Sequence, residues 1–307
     1  MAKPKIYIDG QAGTTGLQIV SRISRRDDLE LLLLEDDQRH NEEARKQMMD
    51  QADLIFLCLP DAAAIEAAGW IAPDKKVIDT STAHRTVWTY GFPELDPALK
   101  EEIKTARRVA NPGCHASGAV SLIYPLVKAG LLKTDALLPV FSLTGFSGGG
   151  KKMIAGYETA KEEEMNAPAL YALGLSHKHI PEITKICHLE KAPVFIPIVD
   201  DYRQGMLTNL QLDQDSFVRP VSREEILKVY QDAYKDSPLI EVHADSPAKL
   251  YSGTKAGKDS LEIFVNGNQD QFLVSARFDN LGKGACGAAL QNMNLMLALD
   301  EKEGLIL

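Results

Sequence analysis

Lys5-Ile-Tyr-Ile-Asp9-Gly10-Gln-Ala-Gly13-Thr-Thr-Gly16 decides the fold. Its first five residues are β-rich, glycines and small polar residues follow, and residues 17–26 then space Leu17, Val20 and Ile23 as a helix does. The order is strand, glycine turn, helix. Glycines there let the chain turn tightly, approach a pyrophosphate and pack helix on strand, while the helix N-terminus faces the phosphates. The spacing is GxxGxxG rather than GxGxxG, so the motif carries weight only through its context.

That context continues outward. A second strand over residues 29–34 ends at Glu35-Asp36-Asp37, roughly 20 residues beyond the glycines, where an acid that binds a ribose is expected. The plain alternative is a solvated acidic turn. A helix over 41–50 precedes the apolar run 53–59, which suits a strand buried on both faces. An alanine-rich crossover helix over 62–70 and strands over 76–79 and 108–110 complete the pattern. Alternating strands and helices predict an α/β fold with a parallel, doubly wound sheet whose ligand lies at the carboxyl ends of the strands.

The strand at 108–110 delivers the chain to Asn111-Pro-Gly-Cys114-His-Ala-Ser-Gly118, behind which residues 119–129 have helical apolar spacing. Cys114 therefore stands near a helix N-terminus, where unpaired N–H groups and the helix dipole favour thiolate over thiol. Against this, a lone cysteine is often a small buried hydrophobe. Cys58, inside the apolar strand, and Cys286, in a small-residue run, read as that packing type. The four cysteines show no CxxC spacing, so neither a zinc site nor a disulfide framework is indicated.

Beyond Gly130 the texture changes. A strand over 137–143 leads to Ser147-Gly-Gly-Gly-Lys151-Lys152, which reads either as an anion cradle or as a flexible surface loop. His177-Lys-His179-Ile-Pro-Glu182 places two histidines at i and i+2, which do not share a helix face, so one of them is expected to point into a given site. Glu182, three residues on, would orient the His179 imidazole. Residues 193–199 and 205–212 alternate as sheet around a turn at Asp200-Asp201 with Arg203 beside it, 222–236 is an amphipathic helix capped by Ser222, and 261–265 and 271–278 flank Asn266-Gly267 as a hairpin. These strands predict one mixed or antiparallel sheet. A last helix over 288–299, apolar on nearly every side, must be buried and is expected to pack back on the first domain.

A chain of 307 residues suffices for two domains. The expected division is 1–114 plus 280–307 for dinucleotide binding, and 115–279 for catalysis and substrate. A net charge of −9 argues against nucleic acid or an anionic membrane as partner. No apolar run reaches membrane-spanning length, and Met1-Ala-Lys-Pro-Lys5 runs into the first strand without a leader-like apolar stretch. A cytoplasmic, reducing location is expected.

Over essentially its whole length the chain resembles the N-acetyl-γ-glutamyl-phosphate reductases, in particular their shorter type, and more distantly the aspartate-semialdehyde dehydrogenases. The motifs that carry this are Gly10-x-x-Gly13-x-x-Gly16, Asp79-Thr-Ser-Thr-Ala-His-Arg85, Asn111-Pro-Gly-Cys114, Ser147-Gly-Gly-Gly-Lys151, His177-Lys-His179-Ile-Pro-Glu182 and the run from Asn280 to Asn292. The resemblance implies a Rossmann-like domain joined to an α+β substrate and dimerisation domain, and a homodimer or homotetramer. It implies that a cysteine attacks a small anionic acyl phosphate, phosphate leaves, and the thioester is reduced at the expense of NADPH in arginine biosynthesis. Carried over, Cys114 is the nucleophile, His179 the acid/base with His177 as fallback, and Glu182 its partner. Arg85 and Asn111 would face the substrate and Ser147 and Lys151 its phosphate. Gly10, Gly13, Thr14, Thr15, Gly16, Ser81 and Asn280 would hold the dinucleotide, with Asn280 on the nicotinamide carboxamide. Lys151 stands where arginine is expected in many relatives, and a lysine lacks the planar two-point grip. Glu35 and Asp36 favour NAD, while Arg39 offers a cation for the 2′-phosphate of NADP, the expected cofactor. The competing functions are the same chemistry on aspartyl or acetyl-aminoadipyl phosphate, a non-catalytic nucleotide-binding subunit, and a cysteine hydrolase, which leaves the glycine turn unexplained.

Overall fold

The apolar runs of the first third of the chain form short parallel strands because the central ones are buried on both faces and each is joined to the next by a crossover. The structure, a computed structural model describing residues 2–307, divides into two units. Unit 1 comprises Met1–Pro93, Pro97–Pro112 and Ala285–Leu305; unit 2 comprises Glu94–Asp96, Gly113–Gly284 and Ile306–Leu307.

Unit 1 holds β1 (Lys5–Asp9), β2 (Glu30–Leu32), β3 (Leu54–Leu57), β4 (Lys76–Asp79), β5 (Thr89–Tyr90) and β6 (Arg108–Ala110) in the order β2-β1-β3-β4-β6-β5. Every pair is parallel. Helices α1 (Thr14–Ile23), α2 (Glu42–Gln51), α3 (Asp61–Trp70) and α4 (Pro97–Thr105) are the connections, with Asn41 capping α2 through its side chain to the Ala44 amide. The reading at 108–110 missed the two-residue strand β5 that pairs parallel with β6 at the sheet edge, and the sequence carries too few residues there for a periodic signal. Two apolar layers cover the sheet, one built on Ile6, Ile8, Phe56 and Ile78 and the other on Tyr7, Ile55, Leu57 and Val77. The alternation along β1 and β3 sends successive side chains to opposite layers. The first layer also takes Ala289, Leu290 and Met293 of α9 (Gly287–Met296), every residue of which is buried.

Gly10 turns the chain after β1 with φ of +85°, and a Cβ there would run into the Cys58 carbonyl. Both strain and clash forbid any other residue. Gly10→Ala is expected to lower the stability of the protein by about 2 kcal/mol, read from the midpoint of chemical denaturation; an unchanged midpoint would contradict the close packing of this turn.

In unit 2, β7 (Pro139–Gly145), β8 (Ala169–Leu170), β9 (Val194–Asp200), β10 (Met206–Asp213), β11 (Ile240–His243), β12 (Leu261–Gly267) and β13 (Gln271–Phe278) form a mixed sheet in the order β11-β12-β13-β10-β7-β9-β8. The β12–β13 hairpin forms as the sequence predicts. Its neighbours in sequence do not always pair: β7 lies between β9 and β10, parallel to the first and antiparallel to the second. Helix α5 (Cys114–Lys128) is buried along most of its length, while α6 (Gly150–Thr159), α7 (Ile180–Ile186) and α8 (Arg223–Tyr234) complete the unit. Pro125 inside α5 cannot donate to Ser121, and the Tyr234 hydroxyl supplies the missing donor to that carbonyl at 2.8 Å. Beside it the Tyr230 hydroxyl donates to the Leu122 carbonyl. No helix among the described residues is long and apolar enough to cross a membrane.

Candidate active site

Cys114 is the first residue of α5, preceded by Gly113 in extended conformation and with no side chain capping the helix. Its sulfur is therefore set among the unsatisfied amides of the first turn of a fifteen-residue helix, the environment that favours thiolate. Glu182, in the first turn of α7, accepts a hydrogen bond from the Gly113 amide at 2.9 Å and is itself buried, so it braces the turn that presents the thiol. On the other side, a Cβ added to Gly284 would stand 3.0 Å from the Cys114 Cβ. Only glycine lets that segment lie so close against the cysteine without pushing it.

The histidines gather here, although not as helical spacing suggested. His177 lies in the turn before α7 and His179 is the N-cap residue of that helix, with αR geometry. The i, i+2 rule for a helix face therefore does not govern them. Their rings lie 4.8 Å apart and stand 5.6 and 5.7 Å from the ring of His115. The His179 amide donates to His177 Nδ1 at 3.3 Å, which leaves Nε2 to carry the proton of a neutral His177 imidazole. Burial, helped by Lys178, lowers the His177 pKa. His179 is buried.

His115 is a member of this site that the sequence did not single out. It is buried, Nδ1 lies 2.8 Å from Ser142 Oγ and Nε2 lies 2.7 Å from the Tyr171 hydroxyl. Burial, with smaller contributions from His177 and Lys178, pushes its pKa down to about 3, so it is neutral at working pH. Burial and the charge of Cys114 raise the Tyr171 pKa, and its phenol keeps its proton. The sequence signal was thin: His115 adjoins Cys114, and nothing local ties it to Tyr171.

Ser147 is buried at the end of the β7 loop, and its hydroxyl accepts from the Asn280 amide at 2.9 Å. Asn280 Oδ1 in turn accepts from the Gly205 amide at 2.9 Å. The two residues that the sequence assigned to phosphate and nicotinamide thus form one bonded pair, and the Asn280 amide is engaged at both ends. Lys151, in the first turn of α6, is exposed.

In unit 1, Gly10, Gly13, Thr14, Thr15 and Gly16 form the turn and first turn of α1, whose N-terminus has no side-chain cap. Gln11 ties this turn to the end of the second strand segment through both its amide atoms and the Leu34 backbone. An uncapped helix start behind a glycine turn fits a dinucleotide phosphate. Arg39 pairs with Asp36 at 3.3 Å. Ser81 donates both its amide and its hydroxyl to Asp79, which also meets His84 Nδ1 at 2.6 Å. Arg85 donates to the carbonyls of Asn111 and Thr80, and Asn111 donates to the Ala285 carbonyl and accepts from Asn292. Arg85 and Asn111, expected to face substrate, are buried and hold the strand ends of this unit together. Cys58 lies one residue beyond β3 rather than inside it, and burial pushes its thiol up to about 12. Cys286 sits in the apolar layer with α9, and none of the four cysteines forms a disulfide.

Residues 114–280 match the family model described as semialdehyde dehydrogenase, dimerisation domain. The chain is 40% identical to an N-acetyl-gamma-glutamyl-phosphate reductase of Trichormus variabilis, over 99% of this chain and 100% of that protein. It is 44% identical to the Sinorhizobium medicae protein of the same name, over 96% and 99%. Among solved structures, aspartate semialdehyde dehydrogenase II from Vibrio cholerae superposes with a TM-score of 0.72 at 17% identity, over 97% of this chain and 99% of that one. That likeness bears on the fold.

Proposed function

The chain belongs to the N-acetyl-gamma-glutamyl-phosphate reductase family, and from that premise we propose that it reduces N-acetyl-γ-glutamyl phosphate to the γ-semialdehyde and inorganic phosphate, a step of arginine biosynthesis. The observation that carries this reading is Cys114 at the uncapped start of a buried helix, on a turn braced by Glu182, with the next residue, His115, packed against the rings of His177 and His179.

The Cys114 thiolate attacks the acyl carbon and phosphate departs, which leaves a thioester on the sulfur. The first-turn amides of α5 that favour the thiolate also favour the oxyanion of the tetrahedral adduct. A nicotinamide dinucleotide supplies the hydride that reduces the thioester. His179 gives a proton to the oxyanion that hydride addition leaves and takes it back as the thiohemiacetal collapses to aldehyde and thiolate, with His177 as its close neighbour. Glu182 holds the Gly113 turn, and so Cys114, in one position throughout. The exposed Lys151 and the Ser147 hydroxyl meet the leaving phosphate.

The cofactor is a nicotinamide dinucleotide, and NADP is the proposed form. Gly10, Gly13, Thr14, Thr15 and Gly16 would hold its phosphates. Arg39 is held to Asp36 by a pair whose carboxylate is exposed; such pairs are weak, so the guanidinium can turn to a 2′-phosphate. The proposed assembly is a homodimer or homotetramer in the cytoplasm.

Assayed in reverse, the purified protein is expected to reduce NADP with N-acetylglutamate semialdehyde only when inorganic phosphate is also present, and NAD more slowly. Turnover without phosphate would overturn the acyl-phosphate mechanism. Faster turnover of aspartate semialdehyde would overturn the substrate assignment.

A further inference from the structure

Asp279 follows β13 and is fully buried, yet the reaction as described gives it no part. Its carboxylate gathers three segments of unit 2. Oδ1 accepts from the Leu281 amide at 2.8 Å, and Oδ2 accepts from Gln204 Nε2 at 2.8 Å and from the Gly257 amide. All three donors are neutral amides, and an ionised acceptor holds such donors more strongly than a neutral one does. The backbone of Asp279 acts as well. Its carbonyl accepts from the Gly284 amide at 2.9 Å, five residues on, and closes the wide turn 279–284.

Two contacts show what this turn presses on. On one side Gly282 lies against the Lys258 carbonyl, next to the Gly257 amide that Asp279 holds, and a Cβ at 282 would run into that oxygen. On the other side Gly284 lies against Cys114, whose Cβ and Cα a Cβ at 284 would meet at 3.0 and 3.3 Å. The turn is a spacer between the 257–258 segment and the cysteine. The Asp279 carboxylate fastens that spacer to the segment behind it.

We propose that Asp279 is a positioning residue for Cys114: by fastening the 279–284 turn to Gln204 and Gly257, its carboxylate holds Gly284 against the cysteine and fixes where the thiolate stands at the start of α5. The inference rests on Cys114 being the nucleophile. A sulfur free to drift loses its alignment with the acyl carbon, and it also leaves the first-turn amides that favour thiolate.

Asp279→Asn tests this with little change of volume. It keeps an oxygen for the Leu281 amide and turns an NH2 group toward Gln204 and Gly257. Gln204 can turn its own amide over to meet that group, whereas the Gly257 N–H cannot. In this variant kcat for phosphate-dependent reduction of NADP is expected to fall about 10- to 100-fold, with KM for the semialdehyde within about threefold of the parent. The rate of iodoacetamide labelling of Cys114 at neutral pH, with the labelled cysteine identified by mass spectrometry, is expected to fall about threefold. Gln204→Leu leaves both backbone donors in place and should move kcat and labelling in the same direction by less. Gly284→Ala pushes on Cys114 directly and should lower kcat by itself; adding Asp279→Asn to it should cost little more, because both act at one contact. A merely structural role would lower the thermal midpoint of Asp279→Asn while kcat and labelling stay at the parent values, and that result overturns the proposal. So do losses that multiply in the double variant, which would place the action of Asp279 elsewhere. If Asp279→Asn does not fold, unchanged kcat and labelling in Gln204→Leu overturn it. If the fast-labelling cysteine is not Cys114, the catalytic reading itself fails and takes this inference with it; if it is Cys114 and neither kcat nor labelling moves, this inference fails alone.

Discussion

Cys114→Ser is expected to abolish phosphate-dependent reduction, with kcat falling at least about 10⁴-fold while the thermal midpoint stays within a degree or two of the parent. The substitution barely changes volume at the start of α5, so the helix and the Glu182 to Gly113 hydrogen bond have no reason to move. What changes is the nucleophile. A helix N-terminus can bring a thiol to thiolate near neutral pH, but the same dipole cannot ionise an aliphatic hydroxyl. Neither Cys58 nor Cys187 can substitute: burial pushes Cys58 up to about 12 and raises Cys187 as well, so both remain thiols, and Cys58→Ser should leave labelling of Cys114 intact. Activity in Cys114→Ser above about a hundredth of the parent would overturn covalent catalysis by this residue.

The second large effect concerns stability. Lys283 Nζ lies 2.7 Å from Glu94 Oε1, and both side chains are only 2% exposed. Lys283→Met takes the cation from a carboxylate that stays buried, and breaking such a pair costs about 3–5 kcal/mol. The loss is read from chemical denaturation. Adding Glu94→Gln to Lys283→Met is expected to recover most of the loss at neutral pH. A loss below about 1 kcal/mol, or no recovery in the double variant, would show that the pair is not the anchor its burial implies. Because Gly284 follows Lys283 and lies against Cys114, the single variant should also lower kcat more than it changes KM.

Local pattern carried much of the fold. The Gly10 turn, the doubly apolar β3 and the alternation with helices lead to a parallel sheet because each depends on residues within one strand-turn-helix unit. Cys114 was legible for the same reason: a turn ahead of it and helical spacing behind it place it at a helix start whatever the rest of the chain does. The β12–β13 hairpin is equally local.

What only the tertiary structure decided are the partners brought from afar. That β7 separates β9 from β10 is set by which edges pair during folding, and no residue in those strands announces it. That arrangement puts Ser142 opposite Thr208, α5 then lays His115 on Ser142, and the loop after β8 brings in Tyr171. The two histidines converge because their backbone is turn and helix cap, a conformation the spacing of two side chains cannot report. The resemblance implies that Arg85 and Asn111 face a substrate; both are buried and donate to backbone carbonyls of their own unit. Sequence determined where the thiol stands, since a helix start is made by its own residues. The hydrogen-bonded groups on the next residue, His115, were decided by sheet register and burial, which depend on the whole chain.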